Sequence, residues 1–230
     1  MRIIDKRLSG ARTPAGCAAL LMLFLLLAGC ASGGKKVKQE PVEQVPTAVE
    51  GPAVTRLQDG REGFVIRETP SLDAESRRDF DRAVAMMKER KFEEAVELLE
   101  KVIESTPEVT APYINIAMAY AAIDRLEPAE QHLKTALRLV PEHPAASNEY
   151  GLLLRKSGRF AEAREIYEKA LARFPEYLPA RRNLGILCDL YLNDPACALE
   201  QYEIFSEAAS EDEQMKLWIA DLRMRLGGGG

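Results

Sequence analysis

Four cysteines and two histidines are the side chains of this 230-residue chain best suited to nucleophilic, redox or metal chemistry. His132 and His143 each lack a second ligand at i+3 or i+4, and His143 lies in a proline-flanked turn. A glycine-rich phosphate loop, a Ser–His–acid order and a cysteine pair at zinc spacing are likewise missing. Paired acids such as Glu93 and Glu94 fall on the solvated face of a helical pattern. No catalytic residue and no metal ligand is therefore assigned, and an enzyme is not expected. What chemistry remains is covalent and belongs to the cysteines.

Two of the cysteines sit in the N-terminal segment. Basic Arg2, Lys6, Arg7 and Arg12 precede an apolar run from Cys17 to Ala28, which closes on Leu27-Ala28-Gly29-Cys30. Such a run, about twelve residues, is short of the roughly 20 that a membrane-spanning helix needs. A charged start, a short apolar core and small residues before a cleavage point describe an export signal. The Leu-Ala-Gly-Cys stretch resembles the lipobox of bacterial lipoproteins. That resemblance implies loss of residues 1–29 as a signal peptide, a diacylglycerol on the Cys30 thiol and an acyl chain on its new amine. No other cofactor is expected. Three acyl chains make a stable anchor where one alone is marginal. In the same family an Asp after the Cys retains the protein at the inner membrane. This chain has Ala31 there, which implies an outer-membrane anchor with the body facing the periplasm.

Residues 30–72 read as a flexible tether. Ala31 to Pro52 shows no helical or strand period and is rich in Gly, Pro, Lys, Glu and Gln. Such a composition buries too little apolar surface to offset its ordering entropy. Within it, residues 63–68 alternate well enough for a short strand, which must dock on the helical body or pair with a partner to persist. The net charge of −5 includes +3 on residues 1–29, so the remainder is near −8, with acids and bases alternating along the helices. Nucleic-acid binding needs a basic face, and none is present. Neither a nucleic-acid partner nor a small-molecule substrate is expected.

The elements that carry the remaining residues come from an internal repeat. Pro107, Pro141 and Pro175 lie 34 residues apart, as do Ala95, Ala129 and Ala163. Ala83, Ala117, Gly151 and Gly185 form another column, Phe92, Leu126 and Phe160 a fourth, and Ala136 and Ala170 a fifth. These columns resemble the tetratricopeptide repeat, a 34-residue helix–turn–helix. The resemblance implies an all-α fold, a right-handed solenoid of about four repeats over residues 73–226. The small columns let the two helices of a repeat approach, and the proline stops the second helix because it lacks an N–H and clashes with the preceding turn. The expected pairs are Ser76–Arg90 with Phe92–Ser105, Pro112–Ile123 with Pro128–Leu139, Ala145–Lys156 with Phe160–Arg173, and Pro179–Leu192 with Pro195–Ala209. The fourth turn reads one residue longer, so Cys197 or Ala198 fills its small position. Glu211–Leu226, with apolar Met215, Leu217, Trp218, Ala220, Leu222 and Leu226, has the pattern of a capping helix. Residues 227–230 form a flexible glycine tail.

In that family the first helices of the repeats line a concave groove through their second, fifth, ninth and twelfth positions. The candidate protein-binding residues are then Arg77, Phe80, Val84 and Met87, followed by Ile114 and Met118, Asn148, Leu152 and Arg155, and Arg182, Ile186 and Asp189. The first half is apolar and includes adaptable methionines, but Phe80, Met87 and Met118 are equally compatible with inter-repeat core or with a place under the 64–66 strand; the second half carries polar and cationic groups suited to a carboxylate. Cys188 and Cys197 fall on the two helices of the last repeat, where a disulfide and a pair of small buried thiols are both compatible with the spacing. The expected function is an outer-membrane-anchored adaptor that scaffolds other envelope proteins. The alternative is an accessory lipoprotein of an energised trans-envelope system, ExbB–TonB-like or motility-related. An enzymatic or ligand-binding lipoprotein ranks behind both.

Overall fold

The computed structural model describes residues 52–56, 64–209 and 212–227. The signal segment, Cys30, residues 31–51 of the tether and residues 228–230 of the glycine tail lie outside them. Among the described residues a two-stranded sheet comes first, β1 (Ala53–Arg56) and β2 (Phe64–Arg67). Helices α1 (Ala74–Lys88), α2 (Phe92–Ser105), α3 (Thr110–Ala122), α4 (Leu126–Leu139), α5 (Pro144–Lys156), α6 (Phe160–Arg173), α7 (Leu178–Leu190), α8 (Pro195–Ala208) and α9 (Glu213–Gly227) follow. Each helix packs on its neighbours in sequence, and α1, α3, α5 and α7 also touch one another in succession. The fold is all-α in its body: four helix–turn–helix pairs stacked side by side and closed by α9.

The repeat chemistry explains the turns. The first three pairs are joined by three residues and the fourth by four, and each joint contains one residue with positive φ: Arg90 (64°), Asp124 (65°), Gly158 (75°) and Asn193 (50°). Three of these are not glycine, so tertiary packing holds a left-handed backbone that L-residues disfavour by about 1–2 kcal/mol. The extra residue in the fourth joint settles its register, since Ala198 is fully buried. The second helices of the first three repeats end at Ser105, Leu139 and Arg173, two residues before Pro107, Pro141 and Pro175. Helix α4 begins at Leu126, two residues ahead of expectation. Pro128 therefore occupies the third helical position, where the missing N–H would have had no intrahelical acceptor.

The small columns are packed without slack. Ala83, Ala95, Ala117, Ala129, Ala163 and Ala198 are fully buried. At Gly151 a Cβ would lie 2.3 Å from Cζ of Tyr167, and at Gly185 one would lie 2.4 Å from Cε1 of Tyr202. The capping helix buries Met215, Ile219 and Leu222, one face at i, i+4 and i+7. Leu217, 71% exposed, and Leu226, 44% exposed, face solvent, which corrects their assignment to the apolar side.

In the segment before α1, β2 falls within residues 63–68, the stretch expected to form a strand, whereas β1 is unexpected. β2 pairs antiparallel with β1, Val54 opposite Ile66, so part of the presumed tether is built into a hairpin. Ile66 and Leu72 are buried in the core, and the Phe64 ring lies 5.2 Å from that of Tyr177. Arg56 donates to the carbonyl of Ala208. Ala53–Arg56 spans only four residues, too few for a period of two to stand out in sequence.

Candidate functional site

The succession α1, α3, α5 and α7 forms the face on which a partner is expected, and burial divides its residues. Phe80, Val84, Met87 and Ile114 are buried, at 5%, 7%, 2% and 2% exposure. They belong to the hydrophobic core, so the structure moves these four from contact surface to core. Arg77 stays partly exposed, with its guanidinium 5.8 Å from the Phe80 ring centroid. Met118, Leu152 and Ile186, one on each of α3, α5 and α7 and 34 residues apart, are all partly exposed.

The second half of the face is polar and tightly connected. Asn183 Nδ2 donates to Asn148 Oδ1 at 2.8 Å across α7 and α5, and Asn148 Nδ2 donates to Glu149 at 3.1 Å. Asn148 is thus buried but satisfied, a link between repeats. Arg155 and Arg182 are partly exposed, and each lies against an aromatic ring: Arg155 is 5.7 Å from the centroid of Tyr191, and Arg182 is 5.8 Å from that of Trp218. Asp189 accepts from Arg225 of α9. Burial, with Asp189 adding to it, pushes the Tyr202 phenol up to about 12, and Arg182, Arg155 and Arg225 act against that rise. Tyr191, Trp218 and Arg225 were missed by sequence reasoning because they belong to the widened turn and the cap, outside the repeating columns.

The sulfur atoms of Cys188 and Cys197 are bonded, with their Cα atoms 5.9 Å apart, so of the two readings left open the structure has the disulfide. It joins α7 to α8 around the widened turn, and a short closed loop of this size restrains the unfolded chain by roughly 2–3 kcal/mol. The histidines are structural. His132 stacks on Tyr120 at 5.7 Å. The Nδ1 atom of His143 accepts from Ala146 N at the start of α5, so its proton is on Nε2, which faces Glu68 at 3.6 Å. Among the described residues no group of three or more His, Cys, Asp or Glu is placed to hold a metal ion. No described helix is long and apolar enough to cross a membrane.

Comparison with known proteins agrees with this architecture. The family profile described as tetratricopeptide repeat matches residues 114–177. Solved structures of similar shape include one titled functional characterization of Pseudomonas aeruginosa pilF, with TM-score 0.61 and 21% identity, covering 66% of this chain and 69% of that one. A thermophilic tetratricopeptide protein of Thermus thermophilus gives TM-score 0.58 and 23% identity over 65% of this chain and 81% of that one. MamA from Desulfovibrio magneticus gives 0.57 and 18%, over 68% and 88%. Among curated proteins, a probable UDP-N-acetylglucosamine–peptide N-acetylglucosaminyltransferase, SPINDLY, of Solanum lycopersicum is 30% identical over 97 residues, which is 42% of this chain and 10% of that protein. The chain thus spans about a tenth of the length of that relative. The fold is the tetratricopeptide solenoid.

Proposed function

We propose that this chain, a tetratricopeptide-repeat protein, is an adaptor anchored to the outer membrane by lipid on Cys30, holding other envelope proteins against its concave face in the periplasm. It is a binding protein rather than an enzyme: its partners are proteins or peptide segments, with no nucleic acid and no small-molecule substrate. The observation that carries the reading is the row Met118, Leu152 and Ile186. These apolar side chains recur on consecutive first helices, and each keeps part of its surface open to solvent. An apolar row at 34-residue spacing offers evenly placed contacts to an extended or helical segment.

The test is capture of envelope proteins crosslinked in the living cell, run beside a thermal melt. Met118→Glu or Leu152→Glu sets a charge in solvent when the protein is free and in a desolvated interface when it is bound. That costs a few kcal/mol, which is about tenfold or more in affinity. Ala129→Leu should act differently: Ala129 is fully buried, and overpacking there lowers stability by about 1–3 kcal/mol. Groove variants that melt normally and still capture every wild-type partner would overturn the concave assignment.

A further inference from the structure

Among the described residues the large hydrophobic side chains most open to solvent are Leu190, Tyr191, Leu217, Met224 and Leu226, and all five belong to the closing end of the solenoid, the C-terminal end of α7 and helix α9. Single exposed hydrophobics scattered over a surface need no explanation, but their concentration at one end does. A capping helix ordinarily turns a polar face outward, because nothing further stacks on it. Helix α9 departs from that rule. Its inner face, Met215, Ile219 and Leu222, is buried. On the opposite face Leu217 and Met224 lie seven residues apart, two helical turns, at 71% and 69% exposure.

Charge along the helix suits the same face. The acids nearest the apolar stripe are neutralised within the helix, Glu213 by Lys216 at 2.7 Å and Asp221 by Arg225 at 3.0 Å. Arg223 pairs with Glu203 of α8 at 2.7 Å. Helix α9 thus carries three cations, Lys216, Arg223 and Arg225, against two acids, in a chain whose net charge is −5. Long cationic side chains beside an apolar stripe cover apolar surface with their methylenes and keep their heads among polar groups, as on a helix that lies in a membrane interface.

Where the chain enters the fold decides what meets this face. Arg56 of β1 donates to the carbonyl of Ala208, at the end of α8 and just ahead of α9. Twenty-one residues, 31–51, separate Cys30 from Pro52, and the coil that their composition predicts spans roughly 25 Å. Lipid on Cys30 therefore keeps the closing end of the solenoid within reach of the bilayer.

We infer that the outer face of α9 rests on the phospholipid surface that holds the acyl chains, with Leu217 and Met224 entering the interfacial layer and Lys216, Arg223 and Arg225 reaching the lipid phosphates. The inference rests on the lipid-anchor reading of Cys30 and goes beyond it, because a docked cap sets the orientation of the solenoid on the membrane. Anionic phospholipid attracts the three cations, and the stripe supplies the apolar contact.

The full acylated chain carrying Met224→Cys is purified from cells that export it, its acylation is read by mass, and the new thiol is labelled with nitrobenzoxadiazole. With residues 1–29 removed, Cys30 acylated and Cys188 bonded to Cys197, the added thiol is the one that labels. The protein is reconstituted in vesicles of phosphatidylethanolamine and phosphatidylglycerol, with and without nitroxide on the acyl chains, beside Glu165→Cys on α6 as the comparison. The expected result at position 224 is blue-shifted emission quenched by the nitroxide lipid, with neither effect at position 165. Both effects persist when lipid is raised until most vesicles hold one chain. Leu217→Glu in the same protein removes most of the quenching while the thermal melt stays in place. Water-like, unquenched emission at position 224 of the acylated protein overturns the surface and leaves the anchor standing. Quenching that vanishes at one chain per vesicle gives the face to a second copy and overturns the surface as well. So does quenching equal at position 165 or undiminished by Leu217→Glu. A chain whose mass lacks the acyl groups overturns the anchor and this surface with it.

Discussion

Glu130 shows how single side chains join repeats. Its carboxylate accepts from Tyr150 at 3.0 Å and from Arg159 at 2.8 Å, and it pairs with Lys134 at 2.8 Å, linking α4 to α5 and to the turn before α6. Partial burial raises its pKa, but the hydrogen bonds from Lys134, Arg159 and Tyr150 outweigh burial and bring it down to about 2. The stabilisation is therefore complete above the ordinary carboxylate value and is lost as pH falls from about 4.5 toward 2, on the order of 1–2 kcal/mol after allowance for exposure. His143 adds a limb of the same sign. Burial lowers it to about 4, so the fold favours neutral imidazole and loses stability as pH falls from about 6.5 to 4, by roughly 2–3 kcal/mol. Urea unfolding across pH should show both limbs. Glu130→Gln should flatten the lower one, and His143→Asn, which keeps a capping acceptor, the upper. A profile unchanged in both variants would refute the assignments. Neither role was legible in sequence, because Glu130 looks like any exposed helical acid and His143 like a turn residue.

Within a repeat, two solutions fill the same space. The first two repeats place Ala83 and Ala117 opposite the register of Leu99 and Leu133, all buried. The last two use glycine with a tyrosine, Gly151 with Tyr167 and Gly185 with Tyr202, and the ring occupies the volume a Cβ would need. Gly151→Ala should therefore cost about 1–3 kcal/mol by overpacking despite its gain in helix propensity. Tyr167→Leu alone should leave a cavity of similar cost. The double variant recreates the pairing of the second repeat and should recover most of the loss, a coupling of 1 kcal/mol or more in a double-mutant cycle. Additive losses would contradict the exchange. The column of small residues was readable from its 34-residue period, and so were eight of the helices to within a few residues. The period could not show which residues of α1 enter the core, so Phe80, Val84 and Met87 read as groove; that depends on how closely adjacent repeats stack.

Across the whole molecule, the hairpin runs back along the solenoid. Phe64 meets Tyr177, and Glu68 meets His143 one repeat earlier, so β2 follows the inter-repeat turns toward α1. Arg56 contacts the end of α8, which brings the start of the described fold to the last repeat rather than the first. This long-range placement has no local signature in a four-residue strand. It leaves the row Met118, Leu152 and Ile186 partly open, and the account depends on that row. The most direct test is site-specific photocrosslinking in the cell from position 152 on the concave face and from position 165, an exposed position on α6, each in the native chain and in Cys30→Ser. The account predicts protein adducts from position 152 in the outer-membrane fraction, few or none from position 165, and an uncleaved precursor without acyl label for Cys30→Ser. Equal adducts from positions 152 and 165, or a processed outer-membrane form of Cys30→Ser, would contradict it.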